Sequence, residues 1–240
     1  MKKGIIYYSD FNCEPKILEA CLNQLKKSFE GEVVSVTLNK PLDFGKNFVL
    51  KGERSNTTYN RQILKALEVS TADYVFFTEH DVLYSKEHFD FTPPKDDTFY
   101  YDLAIYRWDY PNDRAINYDN LTSLSMMCCN RKLALNYYTK KLDRIIKSGW
   151  DKEDGIGNMQ PIWMRALGYE PGTKRRRIGG FSDDVSERWT SKVPCVDIRH
   201  GNTLSRPKTN LNDFKHPPTN FKEIALEQIP GWNLKESFQL

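Results

Sequence analysis

The chain has 240 residues, enough for one large domain with an extension, and its 39% hydrophobic and 13% aromatic share supplies a core and excludes wholesale disorder. Its 35 basic and 32 acidic residues leave a net charge of +3, too small a balance to announce a nucleic-acid-binding protein. No apolar run is long enough to span a membrane, and Ser9 and Asp10 interrupt the N-terminal run too early for a signal peptide. Cys13, Cys21, Cys128, Cys129 and Cys195 show no C-x-x-C spacing, so they read as free thiols of a reducing, cytoplasmic compartment.

In chain order, "GIIYYS" is a short β-rich apolar run and reads as a first strand. Asn12 is a candidate cap for the helix that follows, in which Ile17, Leu18, Cys21, Leu22, Leu25 and Phe29 recur at helical spacing before Gly31. "EVVSVTL" predicts a second strand, "NTTYNRQILKALEVS" a second helix and "DYVFFTEH" a third strand. This alternation predicts a mostly parallel sheet with helical crossovers, whose ligands gather outside the carboxyl ends of the strands.

Further along, "YDLAIYRWD" and "LTSLSMMCC" predict strands, and "RKLALNYYTKKLDRIIKS" a helix ending at Gly149. "NMQPIWMRALGY" predicts another helix and "VPCVDIRHG" a late strand. The segment 202–240 is rich in Asn, Pro and Lys and reads as an extension packed on a domain spanning 1–201.

Three places concentrate chemistry. Glu79, His80 and Asp81 end the third strand, where alternation puts both acids on one face. Two facing carboxylates suit a hard dication carrying a nucleotide diphosphate, although a solvated strand-to-loop junction has the same composition. Glu153 and Asp154 precede a predicted helix, whose positive end favours ionised acids. Asp154 is there a candidate general base, and plain helix capping is the alternative. His200 follows the late strand beside Gly201, either as a structural histidine or as a ligand.

In this order the motifs resemble the GT-A fold glycosyltransferases of the family 2 type. "YSDFNCEPKILEACLNQL" is similar to their opening turn and helix, "EHD" to their D-x-D motif, "KEDGIGNMQPIWMRALGY" to their x-E-D helix, and "DIRHG" to their late histidine. The resemblance covers residues 4 to 201. It implies a Rossmann-like α/β fold with helices flanking the sheet, and an inverting, metal-dependent transfer of a hexosyl or pentosyl group from a nucleotide-diphosphate sugar. It further implies that Ser9, Phe11, Asn39, Arg61, Glu79 and His80 hold the donor. Asp81 and His200 hold Mn²⁺ or Mg²⁺, Asp154 is the base, and Glu153 orients the acceptor.

Trp150 and the run Lys174, Arg175, Arg176 and Arg177 then lie toward the acceptor. That acceptor is a glycan or a modified base in phage-type DNA, and the basic run also reads as a solvated turn. A nucleotidyltransferase and a non-catalytic nucleotide-sugar-binding module are the alternatives. The first is disfavoured because "YYSDFNCEP" has no glycine to cradle a triphosphate. The second leaves "KED" without a task.

Overall fold

The computed structural model describes residues 1–119, 121–153, 166–173, 185–203 and 208–238. Strands β1 (Lys3–Ser9), β2 (Glu32–Leu38), β3 (Lys46–Leu50), β4 (Tyr74–Thr78), β6 (Thr98–Asp102), β9 (Met127–Asn130) and β10 (Val185–Trp189) form one sheet in the order β10-β6-β9-β4-β1-β2-β3. Among these, β9 alone runs antiparallel to its neighbours. The result is a mixed, mostly parallel sheet flanked by helices, consistent with a GT-A, Rossmann-like fold. A second sheet joins β5 (Val82–Leu83), β7 (Ile105–Asp109), β8 (Ala115–Asn117), β11 (Cys195–Arg199) and β12 (Lys222–Ile224) in the order β12-β8-β7-β11-β5.

Alternation along β1 builds both faces of the larger sheet. Ile6 and Tyr8 share a cluster with Tyr59, Ile63 and Leu67 of helix α2 (Asn56–Val69) and Tyr138 and Ile145 of helix α4 (Arg131–Lys147). Ile5 and Tyr7 face the other way, toward Leu25 of helix α1 (Pro15–Ser28) and Phe89 of helix α3 (Lys86–Asp90). Ile17 and Cys21 on α1 meet Trp108, Val196 and Ile198 of the second sheet, so α1 lies between the two sheets. Gly4 lets β1 approach the loop before β4, where an added Cβ would sit 2.7 Å from that of Ala72.

Several boundaries differ from the sequence expectation. Asn12 does not cap α1: Glu14 holds that position, with Pro15 pre-set for the first helical turn, and the helix ends at Ser28 rather than at Gly31. "YDLAIYRWD" is two strands in two sheets, because Asp102 Oδ1 accepts from the Ala104 amide at 2.9 Å and breaks the run. The C-terminal segment is built into the core. It adds β12 to β8 and buries Leu226, Ile229, Leu234 and Phe238, the last two on helix α5 (Leu234–Phe238), in the cluster around Trp108. The five cysteines are free. Among the described residues no helix is long and apolar enough to cross a membrane.

Candidate active site

A cleft opens at the carboxyl ends of β1, β2, β4 and β11. Ser9, Leu38, Glu79, Asp81 and Arg199 line it, with Tyr59 and Tyr169 on one wall and Arg54 and Asn202 on the rim. The floor is fixed by Gln62, buried on α2, whose Nε2 donates to the Ser9 and Val36 carbonyls, both at 2.9 Å. Ser55 caps α2 by accepting from the Thr58 amide at 3.0 Å, and this places Arg54 at the rim. Arg54 pairs with Asp10 and donates to the Asn202 carbonyl at 2.9 Å, which also accepts from Asn12 Nδ2 at 3.1 Å. The turn after His200 is thus held from two sides.

After β4 the chain leaves the extended conformation, so Glu79, His80 and Asp81 all reach the cleft instead of alternating. Asp81 and His200, far apart in sequence, come together because β5 pairs with β11 and the Ile198 amide donates to the Asp81 carbonyl at 2.8 Å. His200 Nε2 lies 3.6 Å from Asp81 Oδ2, and both residues are buried. One ring nitrogen of His80, one of His200 and an Asp81 carboxylate oxygen all lie within 4.8 Å of one another.

These residues fit a divalent ion. His200 Nε2 is buried without a hydrogen-bond partner, an arrangement that an ion would satisfy. The Asn202 amide donates to His200 Nδ1 at 3.3 Å, so an ion at Nε2 would move the ring proton and displace that long bond.

Burial would raise the Asp81 carboxyl, but the adjoining His200, His80 and Arg199 outweigh it and hold it below the usual range. Glu79 is the opposite case. Burial first, and Asp81 second, push it well up, against a 2.6 Å hydrogen bond donated by the Tyr8 hydroxyl. The two acids therefore differ in character: Asp81 favours the ionised form that a cation needs.

Among the other residues singled out from the sequence, Ser9 lies in the cleft, where its Oγ meets His80 Nδ1 at 2.9 Å and accepts from the Phe11 amide at 3.0 Å. Phe11 sits at the turn after β1 with φ of 59° and does not line the cleft. Asn39 also stands outside it. Its side chain clasps Gly52, donating to the carbonyl at 2.8 Å and accepting from the amide at 3.1 Å. Arg61 is exposed on α2 and lines a shallow surface groove with Lys65 and Glu68.

Trp150 is half-buried and packs against the core in the turn Trp150–Glu153. Asp154, Lys174, Arg175, Arg176 and Arg177 lie outside the described residues. Sequence reasoning passed over Arg54, Tyr59, Gln62, Tyr169 and Arg199. Only Arg199, inside "DIRHG", carried a signal by its position next to His200.

No family model and no curated protein matches this chain. Solved structures do. The apo-form glycosyltransferase GlyE of Streptococcus pneumoniae TIGR4 matches at TM-score 0.40 and 12% identity, over 65% of this chain and 41% of that one. S. aureus TarS in complex with UDP matches at 0.38 and 14%, over 59% and 55%. The manganese complex of Rv0371C from Mycobacterium tuberculosis H37Rv matches at 0.40 and 9%, over 81% and 91%. This chain spans about two fifths of the GlyE structure's length. At these TM-scores the likeness carries no argument about what the chain does.

Proposed function

We propose that the cleft binds a nucleotide-diphosphate sugar with a divalent cation and transfers the sugar, with inversion, to an acceptor hydroxyl. The observation that carries this reading is the convergence of Asp81 and His200 on one buried point beside Arg199, at the carboxyl edge of a mostly parallel sheet. The motif resemblance supports the same reading.

The cation, held by Asp81 and His200 with His80 beside them, would stabilise the charge that develops on the leaving diphosphate. Arg199 lines the cleft as a fixed positive group for the same charge. Tyr59 and Tyr169, with ring centroids 5.4 Å apart, offer an apolar wall to the nucleoside. Asp154 is the proposed base. It takes the acceptor hydroxyl proton as that oxygen bonds to the anomeric carbon and the diphosphate departs with the electron pair of the broken bond. Glu153 orients the acceptor, and Lys174, Arg175, Arg176 and Arg177 meet an anionic one. A glycan ranks ahead of a modified DNA base.

The test is Asp154→Asn, which keeps size and removes basicity. Donor binding should persist while transfer falls by about 10²–10⁴-fold. Transfer at close to the wild-type rate places the base elsewhere.

A further inference from the structure

We propose that His80 supplies a third protein ligand, so that His80, Asp81 and His200 form a centre of two imidazoles and one carboxylate that selects a transition-metal dication over Mg²⁺. The inference rests on the reading of the cleft as a cation-dependent site and narrows the ion that site accepts.

Strand alternation puts His80 on the face opposite its neighbours, yet its ring lies with Asp81 and His200 because the chain turns after β4. The ligand atoms span no more than 4.8 Å. Two ligands about 2.0–2.2 Å from one ion stand at most about 4.4 Å apart, so side-chain rotations of a few tenths of an ångström close the set. The pair at 3.6 Å, His200 Nε2 and Asp81 Oδ2, already has a spacing that two ligands of one ion adopt.

The supports of the three side chains are built before any ion arrives. Ser9 Oγ meets His80 Nδ1 at 2.9 Å, the kind of outer contact that fixes the orientation of a ligating imidazole. The Ile198 amide ties the Asp81 backbone to β11, two residues before His200. Arg54 and Asn12 clasp that turn through the Asn202 carbonyl. Finally, the Nε2 of His200 is buried with no hydrogen-bond partner, and the Asp81 Oδ2 that faces it stands 3.6 Å away, which leaves it open to a ligand in the cleft.

Ligand chemistry decides the ion. Mg²⁺ is bound by oxygens, keeps much of its water and gains little from imidazole nitrogen. For a mixed nitrogen and oxygen site the affinity rises from Mn²⁺ to Co²⁺ and beyond. A site made of Asp81 and His200 alone would show that preference more weakly. With two imidazoles the site should bind Co²⁺ more tightly than Mn²⁺, and both more tightly than Mg²⁺.

The experiment is calorimetric titration of the full chain with Co²⁺, Mn²⁺ and Mg²⁺ in turn, beside pulsed electron-spin resonance of the Mn²⁺-loaded protein to count coordinated imidazole nitrogens. The expected result is Mn²⁺ affinity at least tenfold above that for Mg²⁺, with two imidazoles on the ion. His80→Ala should lower Co²⁺ affinity by more than the roughly 10–100-fold that loss of a partner supporting a ligand costs. It should also remove one nitrogen from the count and leave the weak Mg²⁺ binding nearly unchanged. His80→Gln, which can still bond Ser9, should behave alike and separates ligand loss from misfolding. His216→Ala, at an exposed position, should change nothing.

Equal affinity for Mg²⁺ and Mn²⁺, or a nitrogen count unaltered in both His80 variants, overturns the inference. Sugar transfer is assayed in parallel. Selective Mn²⁺ binding without any transfer supports this inference and counts against the proposed reaction alone.

Discussion

Replacing Asp102 by alanine should be among the most damaging single changes in the chain. Asp102 ends β6 and is fully buried together with His88 of α3. Its Oδ2 lies 3.0 Å from His88 Nδ1, and its Oδ1 accepts from the amides of Ala104 at 2.9 Å and Ser191 at 3.0 Å. One carboxylate thus joins α3, the break between the two sheets and the link from β10 to β11. Alanine leaves the buried His88 Nδ1 and Ser191 amide, and the part-buried Ala104 amide, without a partner. At about 1–3 kcal/mol each, with partial relaxation, the loss is about 3–5 kcal/mol. For a chain of this length that is a fall in Tm of roughly 6–20 °C.

Asp102→Asn is the informative control. Its oxygen can keep both amides, while its NH₂ group would need His88 Nδ1 as acceptor. That moves the ring proton to Nε2, which is buried without a partner. The cost should be about 1–2 kcal/mol. Both variants are measured by urea and thermal unfolding followed by circular dichroism. If Asp102→Ala costs no more than Asp102→Asn, the junction is not held by this network and the reasoning fails.

Burial opposes the ionisation of Glu32, but hydrogen bonds from Lys2, Ser70 and Thr71 outweigh it and bring the carboxyl from 4.5 down to about 2. A depressed carboxyl stabilises the fold above its unfolded value and loses that stabilisation as pH falls from 4.5 toward 2. Full conversion gives about 3 kcal/mol, and solvent screening of the half-exposed Lys2 cuts this to about 1–2 kcal/mol. Glu32→Gln should therefore flatten stability against pH across that window, and an unchanged slope contradicts the assignment. Alanine at Lys174, Arg175, Arg176 and Arg177 together should weaken binding of an anionic acceptor, with a deficit that shrinks as salt rises. Unaltered affinity for every anionic acceptor tested returns the run to a solvated turn.

Much of the frame was legible because it is local. β1, β2 and α2 follow from short β-rich apolar runs or helical spacing, and their bounds fall within a few residues of the pattern. What stayed hidden depends on distant partners. β3 is five residues with a mixed burial pattern, and it becomes a strand by pairing with β2. The break inside "YDLAIYRWD" is made by the Asp102 side chain and stabilised by Ser191, far along the chain.

At the site, alternation put Glu79 and Asp81 on one face, but the turn after β4 carries His80 there as well. That is a property of the turn, not of strand periodicity. The approach of His200 to Asp81 rests on the pairing of β5 with β11, and β5 is too short to announce itself. Asn39 and Arg61 are donor residues only by what the resemblance implies for their positions. The side-chain clasp of Asn39 on Gly52 is visible only in three dimensions, whereas the outward phase of Arg61 follows from the helical spacing of α2.

The central claim is that Asp81 and its neighbours hold a cation which in turn holds a nucleotide-diphosphate sugar. The most direct measurement is calorimetric titration of a panel of such sugars into the wild-type chain and Asp81→Asn, each with Mn²⁺ and with chelator. The account predicts that at least one donor binds the wild type with Mn²⁺ and loses most of its affinity in chelator and in Asp81→Asn. A donor that binds equally well in all four conditions, or a panel in which none binds, contradicts it.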